Sequence, residues 1–191
     1  MDRVVHYFEK AGRENTQKCI EIAYFLAIEG YKDIIIATTT GESAIKLANH
    51  FKERELNNIN LIAVTHSYGY KEQNTIELSN ENRDRLLKLD VKVHTATMLT
   101  HSIESSLSAQ FYGVYPTILI AQTLRRIGQG VKVCCEIVMS ACDAGLVEEG
   151  KEVVAIAGTG YGADTVCLVK SAVSKRFLNL KVLEILAKPR E

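Results

Sequence analysis

Along the chain, short unbroken apolar runs alternate with stretches whose apolar positions recur every three or four residues. Residues 15–29 place Cys19, Ala23, Leu26 and Ala27 on one helical face, with Asn15 as the expected N-cap and Gly30 as the stop. Asp33-Ile34-Ile35-Ile36-Ala37 follows, a β-branched run of the kind buried on both faces of a parallel sheet. Residues 42–52 are helical again, with Ala44, Leu47, Ala48 and Phe51 in register, and Leu61-Ile62-Ala63-Val64 is the next buried strand. Ser79 is placed to cap a polar helix through Leu89, and Val91-Lys92-Val93 reads as a third strand. Residues 95–115 are rich in Ser, Thr and Tyr and show no clear period.

Pro116 opens a helix to Ile127 that Gly128 ends. A second helix follows, with Cys134, Ile137, Val138, Ala141 and Gly145 on one side. Val153–Ala157 and Thr165–Val169 are two strands around a glycine-rich turn, and Val182–Leu186 is a last strand or short helix before the polar end Lys188-Pro189-Arg190-Glu191. Buried strands alternating with amphipathic helices imply an α/β fold of three layers, a mostly parallel sheet covered by helices on both faces. No linker, low-complexity tract or repeat divides the chain, so residues 1–191 are expected to form a single domain.

Composition changes this picture little. At 47% hydrophobic and 24% charged the chain is globular rather than disordered, and 23 basic against 23 acidic residues provide no field for nucleic acid or an anionic membrane. No apolar run approaches the ~18 residues of a bilayer span, and the first residues lack the apolar core of a secretory signal, so the expected compartment is the cytoplasm. The five cysteines fit it: Cys19, Cys134, Cys142 and Cys167 lie in apolar periodic stretches, Cys135 adjoins Cys134, and no pair has zinc spacing. Buried free thiols are expected, and no metal.

Two segments carry candidate chemistry. Thr38-Thr39-Thr40-Gly41-Glu42-Ser43 directly follows a buried strand and opens a helix. Open parallel sheets bind ligands beyond the carboxyl ends of their strands, and a helix start there offers unpaired N–H groups and a positive dipole end to an anion. The hydroxyls add donors, and Gly41 allows close backbone approach, an arrangement that suits a phosphate monoester; a threonine-capped helix without ligand is the alternative. The segment is neither a Walker loop nor a dinucleotide turn.

Gly158-Thr159-Gly160-Tyr161-Gly162-Ala163-Asp164-Thr165 lies between two strands, where it serves either as a plain β-turn or as a second wall of the same crevice. The two loops face one crevice if the strands that precede them are parallel neighbours. Asn15 and His66 are further candidates to reach a ligand there, and Thr100-His101 lies in the aperiodic region. Glu136, Ser140 and Asp143 share a polar helix side that reads as a solvated face, and Arg125-Arg126 as a surface pair. No Ser/His/Asp or Cys/His set emerges from spacing, so no catalytic residue is assigned.

The run Ile34–Ala44 followed by Leu61-Ile62-Ala63-Val64-Thr65 resembles the C-terminal α/β domain of pyruvate kinase, in which a Thr/Ser-rich loop before a helix takes the phosphate of an allosteric sugar bisphosphate. Gly158–Thr165 resembles the glycine-containing effector loop of that domain. Closer still is the similarity to small stand-alone proteins, mainly archaeal, that consist of this domain alone. It rests on Glu14-Asn15-Thr16, Ala63–His66, Thr123-Leu124-Arg125, Gly130–Val133, Glu136-Ile137, Asp143–Leu146, the glycine loop and Lys188-Pro189-Arg190. Ser105–Ser108 stands where that pattern carries glycine and then Glu-Arg, so no ligand contact is carried over from there.

The resemblance implies a five-stranded, mostly parallel sheet with the last strand antiparallel, and a phosphate-ligand pocket. It implies flavin mononucleotide (FMN) as the favoured occupant and a sugar phosphate as the second. The catalytic barrel of pyruvate kinase has no counterpart in these 191 residues, so kinase activity is not expected. The leading expectation is a module that binds a phosphate-bearing small molecule. It would set the phosphate against Thr38–Ser43, the glycine loop with Asp164 and Thr165 as a wall, and His66 and Asn15 on the rest. A small flavin-dependent oxidoreductase, with His66, His101 and Glu136 as acid–base candidates, is one alternative. A structural or regulatory subunit that self-associates through Phe177–Leu186 is the other.

Overall fold

The computed structural model describes residues 2–100 and 102–191. Among them seven strands form one sheet: β1 (His6–Phe8), β2 (Asp33–Ala37), β3 (Asn60–His66), β4 (Lys92–Ala96), β5 (Glu152–Ala157), β6 (Thr165–Lys170) and β7 (Lys181–Pro189), in the spatial order β1-β7-β6-β5-β2-β3-β4. Six run one way, and β6 alone is reversed, antiparallel to both β5 and β7. The reversal follows from the short loop 158–164, which lets β5 and β6 pair only as a hairpin.

The sheet is therefore wider than the five strands expected, and its last strand in sequence runs with the majority. Strands β2 to β6 match the expected set, with the last of the five antiparallel. The two additional strands come from the chain ends: β7 pairs with β6, and β1 pairs parallel to β7, with His6 opposite Ala187 and Phe8 opposite Pro189. Within the segment Phe177–Leu186, β7 pairs with β6 along one edge, whereas β1 reaches only Ala187–Pro189; Leu178 and Leu183 are the exposed apolar side chains of the segment.

Period-2 alternation explains the two cores. On β2, Ile34 and Ile36 join a cluster with α1 (Thr16–Ile28), α2 (Glu42–Lys52) and α3 (Asn80–Lys88), while Ile35 joins the opposite cluster beneath α6 (Gln129–Asp143). A β-branched run with a core on each side is what a central parallel strand requires. Cys19 lies in the first cluster and Cys134, Cys142 and Cys167 in the second; all five thiols are free and buried, and burial pushes that of Cys135 up to about 12.

Two helices depart from the sequence reading. α1 follows a 3-10 turn over Arg13–Asn15, so Asn15 has helical dihedrals and caps nothing; its amide donates instead to the Lys10 carbonyl at 2.8 Å. Within the aperiodic stretch lies α4 (Ile103–Phe111), none of whose described side chains is buried. Its Ile103, Leu107 and Phe111 form an i, i+4, i+8 stripe that faces solvent. α5 (Pro116–Ile127) follows, with proline at its start, and Gly128 joins it to α6. Ser79 does cap α3, its hydroxyl accepting from the Asn82 N–H at 3.2 Å. No helix of the described residues is long and apolar enough to cross a membrane.

Candidate functional site

β2 leads through α2 to β3 on one side, and α6 leads into β5 on the other, so the connections diverge where β2 and β5 lie side by side as parallel neighbours. Such a switch point leaves a crevice at the carboxyl ends of the strands. A cavity of about 550 Å³ opens there, lined from β2 and α2 by Thr38, Thr39, Thr40, Glu42, Ser43 and Lys46. The glycine loop contributes Gly158, Gly160, Tyr161 and Gly162, and β3 contributes Val64, Thr65 and His66. The volume falls in the ~300–1,000 Å³ range of small-molecule sites.

The threonine loop is built to start a helix. Thr38 is buried, and its hydroxyl oxygen accepts from the Gly41 N–H at 3.1 Å and from the Ser43 hydroxyl at 3.0 Å. That turn presents the first N–H groups of α2, which have no intrahelical acceptor, together with the half-buried Thr39 and Thr40. Gly41 does not approach the cavity. Its φ of 93° is left-handed, and a side-chain carbon there would meet Leu78 Cδ1 at 2.8 Å, so glycine is required for the turn and for packing against the segment before α3.

Asp164 and Thr165 also serve the fold. Both are fully buried; Asp164 Oδ2 accepts from the N–H groups of Gly12 (3.3 Å) and Thr159 (3.0 Å), and Oδ1 accepts from the Thr165 hydroxyl at 2.8 Å. The carboxylate thus ties the glycine loop to the turn before α1. Gly162 completes the joint, because a side chain there would lie 2.5 Å from Arg13 Cα. Thr159 is exposed, and neither it nor Asn15 lines the cavity. Of the residues read from sequence, Thr38, Thr39, Thr40, Glu42, Ser43, His66, Gly158, Gly160 and Gly162 do line it.

His66 stacks on Tyr70 with centroids 3.9 Å apart and planes 9° from parallel. Burial holds its pKa below the usual value, Lys71 pushes the same way, and Glu77 opposes them. Across the opening, the Lys71 ammonium donates to the Tyr161 hydroxyl at 2.6 Å, joining the loop after β3 to the glycine loop. His101 lies outside the described residues.

The polar side of α6 is where the sequence reading fails. Lys132, Glu136 and Ser140, at i, i+4 and i+8, are buried and line the cavity; Asp143 alone is solvated, accepting from the Ser174 N–H at 2.8 Å. Lys132 and Glu136 form a buried ion pair, and Glu136 Oε1 also accepts from the N–H and hydroxyl of Thr100. Ser140 Oγ is 3.0 Å from His94 Nε2, and burial holds the pKa of His94 below its usual value. Arg125 lines the cavity, its Nε donating to Gln129 at 2.8 Å, whereas Arg126 is exposed. The signal was present: Lys132 sits among Val131, Val133 and Cys134, an apolar neighbourhood that a solvated lysine does not need. Among the described residues no group of three or more His, Cys, Asp or Glu is placed to hold a metal ion.

The sequence model of the family described as pyruvate kinase, alpha/beta domain, matches residues 17–169. The chain belongs to that family. The match spans the threonine loop, the first three turns of α6 and the glycine loop, hence nearly all of the cavity wall. It also contains the five strands β2 to β6, all but the last residue of β6, while β1 and β7 lie outside it. The family match therefore accounts for the five strands expected, and the two beyond them belong to the flanking segments of this chain.

Proposed function

We propose that the cavity binds a phosphate-bearing small molecule, with the phosphate at the start of α2 and the remainder lying towards α6. The observation that carries this reading is the opening of the α2 N-terminus into a cavity of ligand size, flanked by Thr39, Thr40, Ser43 and the exposed Lys46. Arg13 and Arg125 add positive charge at the rim, offset in part by Glu14 and Glu42. Helix dipole, N–H donors and hydroxyls together favour an oxyanion over a neutral group.

FMN is the first candidate and a sugar phosphate the second. The residues fit FMN: beyond the anion cradle, Val64, Met98, Val133 and Ile137 supply apolar wall, and the flat His66–Tyr70 pair supplies a stacking face. A bound flavin would supply electron-transfer chemistry of its own; this chain would hold its phosphate at Thr39–Ser43 and shield its ring from water with Tyr70 and Tyr161.

Titration of the purified protein with FMN, followed by the quenching of flavin fluorescence, tests the reading. Saturable quenching that inorganic phosphate competes away is expected for FMN. If FMN is ignored, calorimetric titration with sugar phosphates takes its place, and absence of phosphate-competed binding by either class would overturn the proposal.

A further inference from the structure

Lys132 is 1% exposed and Glu136 6%, yet both line the cavity. A buried lysine is costly unless it is paired, and replacing such a pair by apolar groups is often neutral or stabilising, so packing alone gives no reason for a charge here. The pair sits on the first turns of α6, on the opposite face of the sheet from α2, so the cavity has an anion cradle at one wall and an amine at another. Desolvation holds the Lys132 ammonium below its usual pKa, with Glu136 pulling it back up. Thr100 fixes the carboxylate by two hydrogen bonds from outside the helix, which orients the group that faces the amine.

We propose that Lys132 is a nucleophile that forms an imine with the carbonyl carbon of a phosphorylated aldehyde or ketone. The inference rests on the anion cradle of the proposed function and belongs to its sugar-phosphate branch, since an open-chain sugar phosphate carries both groups. Glu136 accepts a proton from the Lys132 ammonium, freeing the nitrogen lone pair. That pair attacks the carbonyl carbon while the C=O π electrons move to oxygen, which takes the proton back from Glu136. The carbinolamine nitrogen, which still carries two protons, gives one to Glu136, which passes it to the hydroxyl; the C–O bond breaks, water leaves, and the nitrogen lone pair forms the C=N bond. An ammonium and a carbonyl become an iminium and one water, and the iminium keeps the charge that pairs with Glu136. Burial favours each step that needs an uncharged amine.

Pyridoxal 5′-phosphate is a suitable probe because it carries an aldehyde and a phosphate. The protein is incubated with one equivalent, reduced with borohydride, digested, and its lysine peptides are measured by mass. The expected result is label on Lys132 ahead of the exposed lysines, at least tenfold less with excess inorganic phosphate, and tenfold less with pyridoxal. Equal labelling of Lys132 by both aldehydes, unaffected by phosphate, would sustain the nucleophile and overturn the phosphate cradle instead. Label on exposed lysines with none on Lys132 would overturn this proposal. Lys132→Arg keeps the cation but forms no imine and should lose the label. Should it fail to fold, the double variant Lys132→Met with Glu136→Gln removes both charges and serves as the second control.

Discussion

Gly41 and Leu78 touch across the junction of α2 with the segment before α3: a side-chain carbon on Gly41 would stand 2.8 Å from Leu78 Cδ1, with Asn82 Cβ at 3.2 Å. Asn82 in turn donates to the Thr40 carbonyl at 2.8 Å, so the turn at the start of α2 is clamped from behind.

Gly41→Ala is therefore expected to act on stability rather than directly on a ligand. The left-handed φ and the clash together should cost about 1–3 kcal/mol, read as a fall in the denaturation midpoint of ligand-free protein. A variant of unchanged stability would show that the clamp is slack.

Binding is better probed at the half-buried threonines that line the cavity. Thr40→Val keeps shape and backbone and removes one donor, and Thr39→Val does the same beside it. A hydrogen bond to a charged group is worth about 1.5–3 kcal/mol, so each change should weaken a phosphate-bearing ligand roughly tenfold or more while leaving the unfolding curve in place. Unaltered affinity in both would move the phosphate away from this loop.

Asp164→Asn tests the joint beneath the glycine loop. Asp164 holds two N–H groups and one hydroxyl, and an amide in its place leaves a buried donor orphaned or opposed, at about 1–3 kcal/mol per group. Loss of stability together with faster amide exchange at Gly12 and Thr159 is expected; exchange confined to distant strands would contradict the assignment.

His66 and His94 give the fold an acid limit. Burial, the first cause for each, holds both below the ordinary imidazole value. In the unfolded chain they take up a proton near ~6.5, whereas in the folded protein they resist until lower pH. Between those points the unfolded state binds more protons, so stability falls as pH falls; above ~6.5 the two residues contribute no slope. Melting temperatures between pH 7.5 and 5 should decline below about 6.5, and His94→Gln, which keeps a partner for Ser140, should flatten part of the decline.

The fold's central elements were legible because each carries its own local signal. The run Asp33–Ala37 is apolar on both pleat faces, Pro116 starts α5, Gly128 ends it and Ser79 caps α3. The threonine-rich turn in the cavity wall was legible for the same reason, since a turn between a strand and a helix is contiguous in sequence. β1 and α4 were not: β1 is three residues long and exists only through pairing with β7 nearly the whole chain away, and α4 turns its apolar stripe to solvent.

By itself, then, the sequence determined a mostly parallel α/β sheet, its strand-to-helix turns and the threonine turn that lines the cavity, because propensity, capping and periodicity act over a few residues. Only the tertiary structure decided which glycine and which acid serve the fold: Gly41 meets Leu78 and Asp164 meets Gly12, partners that lie 37 and 152 residues away. It also turned the polar side of α6 inward, because the crevice between diverging connections needs a wall there, and that placed Glu136 and Ser140, with Lys132, in the cavity wall rather than on a solvated helix face.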